Sequence, residues 1–139
     1  VSPEMFKEFI LPYQLRLAKR FGLNYYGCCE GLGRRFEYVK QIPRLRRVSV
    51  SQWANIPLMS EMLGGDYVFC HKVSPTDIAV PQIDEAYIRR RLHEVLVKCK
   101  ACGNHVELIM KDNHTIANTP YNAYRWVELA REEVARVYG

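Results

Sequence analysis

Short apolar segments of strand length alternate four times with longer segments of helical periodicity, and this alternation restricts the fold more than any other feature of the sequence. The apolar segments cover residues 23–29, 45–51, 67–73 and 105–111. In the second of them, Val48 and Val50 alternate with Ser49 and Ser51, as they do in a β-strand. Strands that alternate with helices over short loops predict a parallel sheet with right-handed crossovers.

The helix predictions rest on caps and on apolar residues at helical spacing. Ser2 and Pro3 begin a leading helix that Pro12 should kink and Gly22 should end. A short helix is predicted over residues 34–40. Longer helices begin after Asn55 and after Asp84, and Pro120 opens the last one. The sequence therefore predicts one α/β domain over residues 1–139, with a leading helix followed by four βα units.

The composition is that of an ordinary globular domain. The chain has 139 residues, of which 48% are apolar and 25% charged, and no apolar run reaches the ~20 residues that span a bilayer. Five cysteines are an odd number, and no secretory signal precedes them. We therefore expect free thiols and a cytoplasmic location. Because no initiator methionine is present, we expect the chain to be part of a longer protein.

The net charge is +5, and arginines cluster at residues 34–35, 44–47 and 89–91. Such clusters are typical of an anion-binding or nucleic-acid-binding surface, and equally of solvated helix faces and loop ends. No aromatic residues are interleaved with the arginines in the manner of RNA-binding modules. The sequence therefore does not favour nucleic acid as a partner.

Reactive and hydrogen-bonding side chains follow each predicted strand, and ligands bind at the carboxyl ends of parallel strands. We therefore predict a site at this edge of the sheet. Its candidate residues, in strand order, are Tyr26, Cys28 and Glu30; Ser51 and Trp53; His71 and Lys72; and Lys111, Asp112 and His114.

The residue types suggest roles for this set. Cys28 is a candidate thiolate ligand or nucleophile, and His114 a candidate ligand or proton carrier. Lys111 and Asp112 are suited to anchoring an anion or to acid–base chemistry, or else form an ion pair that closes the strand. Cys28, Glu30 and His114 are also a candidate zinc ligand set. Tyr26, Glu30, Ser51, Trp53, His71 and Lys72 are the predicted substrate-binding residues.

Several stretches resemble a known family: residues 2–13, 25–30, 42–51, 108–116 and 125–127. Together they resemble the C-terminal portion of little-characterised bacterial proteins of the uroporphyrinogen decarboxylase superfamily. That superfamily also includes corrinoid-dependent methyltransferases and cobalamin-independent methionine synthase. The resemblance spans nearly the whole chain.

The resemblance implies the last four strands of a TIM-type (β/α)8 barrel, a fold that needs roughly 250 residues. It also implies one of two kinds of reaction. The first is zinc-assisted methyl transfer, in which the methyl group is carried by a corrinoid on a partner protein or passed to a thiol. The second is decarboxylase-like chemistry. The superfamily's His-x-Cys zinc pair falls on Tyr26-Gly27-Cys28, where tyrosine replaces histidine. The superfamily's distal cysteine has no counterpart in this chain, and the nearest loop offers Asp112 and His114 instead.

A half barrel implies a partner as well as a small-molecule substrate. The N-terminal half of the same barrel or a second copy of this chain would cover its open edges. The alternative is a non-catalytic assembly unit that dimerises or completes a barrel with another chain.

Overall fold

The computed structural model describes all 139 residues and contains the predicted elements in the predicted order. Its helices and strands are α1 (Pro3–Met5), a π-helical turn (Phe6–Ile10), α2 (Leu11–Ala18), β1 (Asn24–Tyr26), α3 (Phe36–Val39), β2 (Leu45–Ser51), α4 (Ile56–Leu63), β3 (Val68–Val73), a 3-10 turn (Pro75–Asp77), α5 (Glu85–Ala101), β4 (His105–Met110) and α6 (Tyr121–Tyr138). All four strands are parallel and lie in the order β1-β2-β3-β4. The predicted parallel α/β architecture is confirmed.

The predicted helix caps form as hydrogen bonds. The Oγ of Ser2 accepts from the backbone N–H of Met5 at 3.2 Å. Asn55 Oδ1 accepts from the N–H of Leu58 at 3.0 Å, and Asp84 Oδ1 accepts from that of Tyr87 at 2.9 Å. Each cap satisfies one of the backbone donors that a helix leaves free at its start.

A wider turn of the leading helix precedes Pro12, the residue predicted to kink it. The backbone N–H of Leu11 donates to the carbonyl of Phe6, five residues back, so a π-helical turn comes just before the proline. This wider turn accommodates a residue that has no N–H. The helix ends at Ala18, earlier than the predicted end at Gly22. Just beyond it, Arg44 donates to the carbonyl oxygens of Lys19 and Phe21 at 2.9 and 2.8 Å.

The first strand is shorter than predicted and ends at Tyr26. It lies at the edge of the sheet, and its register with β2 shifts between Asn24 and Tyr25. Beyond Tyr26, the Oγ of Ser49 donates to the carbonyl oxygen of Cys28 at 3.2 Å. A side chain thus replaces the ladder bond that would have extended the strand.

The helices pack against one face of the sheet. The largest core cluster joins Val48, Val50 and Phe69 of the strands to the leading helix and to α3, α4 and α5. A smaller cluster joins Val73 of β3 to α5 and α6. Successive strand residues point to opposite faces, so the residues between these core positions form a second face, on which no helix packs. We call it the open face.

Candidate functional site

The open face carries polar side chains in the rows set by the strand register. Ser49, Cys70 and Glu107 lie side by side in one row, and the next row toward the carboxyl ends holds Ser51, Lys72 and Ile109. Parallel strands are ordinarily apolar on both faces. Packing of the sheet therefore does not explain why polar residues occupy these positions.

An ion pair crosses the middle of the open face. The guanidinium of Arg47 on β2 binds the carboxylate of Glu107 on β4, and both side chains are more than one-third exposed. β3 lies between them, so the pair passes over Cys70, which has no exposed surface. On its other side Arg47 stacks over the ring of Tyr25, 4.7 Å from the centroid. The hydroxyl of Tyr25 lies 3.4 Å from the sulfur of Cys70.

Burial determines the protonation of this cluster. It raises the pKa of Tyr25 to about 12, and the hydrogen bond with Cys70 adds to the effect. Burial also raises the pKa of the Cys70 thiol. Both groups are therefore neutral at pH 7, and Cys70 is a poor nucleophile, because the thiolate is the reactive form. Arg47 and Glu107 supply the charges of the cluster.

Two lysines extend the open face at the carboxyl edge of the sheet. Lys72 is half-buried in the row beyond Cys70. Lys111 follows β4 and is 18% exposed, and its ammonium lies 3.8 Å from the carboxylate of Asp112. The predicted Lys111–Asp112 ion pair is thus present. In the same region, Ser51 Oγ accepts from the backbone N–H of Trp53 at 3.1 Å.

Cys28 and Glu30 lie together, but an arginine holds them. Arg35 donates to Glu30 Oε2 at 2.6 Å and to the sulfur of Cys28 at 3.7 Å. The backbone N–H of Glu30 also donates to that sulfur, at 3.4 Å. Zinc does not fit this arrangement, since a guanidinium already lies against both groups and would repel a second cation. No group of three or more His, Cys, Asp and Glu side chains is arranged to hold a metal ion.

The structure places the other predicted residues in three different surroundings. Tyr26 packs edge-on against Phe6 in the helix-side core, with ring centroids 6.3 Å apart. His71 lies beside Val50 and Leu108 across the sheet and so faces the helices. Asp112 and His114 are exposed in the loop before α6. Ser51, Lys72 and Lys111 therefore share the carboxyl edge of the open face, and the other predicted residues do not join them there.

Sequence reasoning missed the central cluster of the open face: Tyr25, Arg47, Cys70 and Glu107. One signal was available. Arg47, Ser49 and Ser51 occupy alternate positions of a strand whose other positions are valines. In a parallel sheet, such alternation marks one face as polar.

By its fold and its site, the chain is a parallel α/β unit that has helices on one face of the sheet and a charged cluster on the other. No protein-family model, curated protein or solved structure matches the sequence significantly. No helix combines the length and the apolar character needed to cross a membrane.

Proposed function

We propose that the chain forms the C-terminal four βα units of a (β/α)8-barrel enzyme, with the reaction site on the open face. Strands that neighbour each other in chain order, with all helices on one side, are typical of a barrel wall. A doubly wound sheet would instead reverse its strand order and carry helices on both faces. The sheet order and the one-sided core both favour the barrel.

The observation that carries the proposal is the Arg47–Glu107 pair with Cys70 and Tyr25 beneath it. A barrel interior is ordinarily filled by bulky branched side chains. Removing two charges from water costs free energy that packing alone does not repay. Charged groups at such positions are typical of reaction sites.

The reactions implied by the resemblance are methyl transfer and decarboxylation, and both act on an anion. In the first the anion is a thiolate, and in the second it is a carboxylate. Arg47, Lys72 and Lys111 are the cations that the open face and its carboxyl edge offer. We assign them to binding the anion. The predicted catalytic roles of Cys28, Asp112 and His114 stay predictions, and no step is assigned to zinc.

The test is to compare two neighbouring arginines on opposite faces of β2. Arg46 is exposed and donates to the carbonyl of Asp66 at 3.2 Å, so Arg46→Gln removes the same charge outside the open face. Two reactions are assayed in the complete barrel, formed by this chain with its other half. They are decarboxylation of uroporphyrinogen and demethylation of methylcobalamin by a small thiol. We expect turnover in one assay that falls at least tenfold in Arg47→Gln, by analogy with the loss of other anion-stabilising groups. Equal turnover in Arg47→Gln and wild type would contradict the proposal.

Two exposed apolar surfaces favour a second candidate, an assembly unit that pairs with another half barrel. Met5, Phe9, Tyr13 and Leu17 recur every four residues along the leading helix and are 52–67% exposed. At the other end of the sheet, β4, α5 and α6 line an apolar groove of about 720 Å³. Both outer strands also have one unpaired edge. Exposed apolar surfaces and free strand edges are features of an unfilled interface.

A further inference from the structure

A cavity of about 280 Å³ lies on the helix side of the sheet, away from the open face. The ends of β2 and β3, the 3-10 turn and the first part of α5 surround it. The side chains of Val73, Ile88 and Leu92 contribute its apolar wall, and Trp53 and Tyr87 contribute aromatic surface. A cavity of this size is close to the lower limit of small-molecule sites.

His71 lines this cavity and has an unsatisfied polar atom. Its side chain is only 6% exposed, and its Nδ1 is buried without a hydrogen-bond partner. A buried polar atom without a partner costs about 1–3 kcal/mol, and such atoms are rare in folded proteins. Nδ1 itself is closed off from the cavity, so a bound molecule would reach His71 through its other ring nitrogen, Nε2.

The charge state of His71 indicates which partner it needs. Burial, and to a smaller extent the nearby Arg91, lowers the pKa of His71 to about 4. The ring is therefore neutral at pH 7, with one nitrogen that donates and one that accepts. A ligand with a hydroxyl or carboxylate oxygen can satisfy the donor.

Arg91 supplies a cation at the wall of the same cavity. Two other arginines of the helical layer, Arg89 and Arg125, are both held in ion pairs with glutamates. Arg91 forms no ion pair, and it is exposed. Asp77, half-buried on the 3-10 turn, lines the cavity too; burial raises the pKa of its carboxyl, and the charge of Arg91 lowers it to a smaller extent. The cavity thus offers an arginine that no carboxylate holds in a close ion pair, together with a neutral imidazole.

We propose that this cavity binds a small organic acid, whose carboxylate pairs with Arg91 and hydrogen-bonds His71 while its apolar part packs between Trp53, Tyr87 and the wall of the cavity. The guanidinium of arginine matches the geometry of a carboxylate. The apolar wall favours an organic acid over an inorganic anion. The site is independent of the function proposed for the open face, because His71 and Lys72 point to opposite sides of β3.

The test is to titrate the full chain with benzoate and to record NMR spectra of the His71 imidazole and the Trp53 indole. Benzamide has nearly the same shape without the charge, and inorganic phosphate has the charge without the apolar part. We expect benzoate to shift both resonances to saturation and to bind at least tenfold more tightly than either comparison compound. Equal binding of benzoate and benzamide, tighter binding of phosphate, or no saturable shift would overturn the proposal.

Two exposed arginines provide the variant and its control. Arg91→Gln should weaken benzoate binding at least tenfold, and Arg46→Gln should leave it unchanged. Both side chains are exposed, so both variants should fold, as circular dichroism would show. Wild-type affinity in Arg91→Gln would overturn the proposal. Arg47→Gln tests the open face separately and should not change benzoate binding.

Discussion

Replacing His71 by glutamine should make the protein less sensitive to acid. His71 is 6% exposed, and its pKa lies at about 4 in the folded chain against 6.5 for an unperturbed histidine. Arg91, Glu94 and Lys98 on α5 and Asp77 on the 3-10 turn are the charged groups that line the cavities around it. Glutamine keeps a polar side chain but does not titrate, so the substitution removes the protonation of His71 and leaves a polar group in its place.

The direction in which stability changes with pH depends on whether the folded or the unfolded chain binds the proton more tightly. Above pH 6.5, His71 is neutral in the folded and unfolded states and contributes no pH dependence. Between pH 6.5 and about 4 the unfolded chain takes up a proton that the folded chain refuses, so stability falls as the pH falls. Each tenfold difference in proton affinity is worth about 1.4 kcal/mol. The expected loss therefore reaches about 3 kcal/mol near pH 4.

Urea unfolding followed by circular dichroism measures this loss. Unfolding free energies of wild type and His71→Gln are compared at several values between about pH 7 and pH 4. The unfolding free energy of His71→Gln minus that of wild type should increase by about 3 kcal/mol as the pH falls from about 7 to about 4. His105→Gln is the control, because it makes the same substitution at an exposed position outside the His71 cavity. Parallel curves for wild type and His71→Gln would refute the reasoning.

Three further predictions follow from local contacts. Asn104→Ala should destabilise the chain by about 2–3 kcal/mol in urea, because its Nδ2 donates to the carbonyl oxygens of Ser60 in α4 and of Gly64 just after it, at 3.0 and 2.8 Å; a loss below about 0.5 kcal/mol would contradict this. Asp84→Ala should cost about 1 kcal/mol through the lost cap, and Asp84→Asn should restore most of it. Iodoacetamide should modify the exposed Cys29 first and Cys99 last, because burial raises the pKa of Cys99 to about 11; equal labelling rates by mass spectrometry would contradict this.

The fold was predictable because its signals are local. The bounds of β2 agree with the prediction, and the caps at Ser2, Asn55 and Asp84 each form. A capping side chain and the helix that it begins lie within three residues of each other. The length of β1 was overestimated because its end depends on Ser49, a residue from another strand.

The site was harder to predict because it depends on strand register. Arg47 and Glu107 are 60 residues apart in the sequence and meet only across β3. The predicted site also included both His71 and Lys72. These residues are neighbours on β3, so their side chains face opposite sides of the sheet and cannot share one site.

The mass of the chain in solution tests most directly whether it is half of a barrel. The two exposed apolar surfaces and the two unpaired strand edges should not stay open to water. Light scattering on the isolated chain should therefore give at least twice its mass of 16.3 kDa, and Phe9→Glu or Val127→Glu should reduce that mass. A stable monomer of 16.3 kDa at high concentration would contradict the half-barrel account.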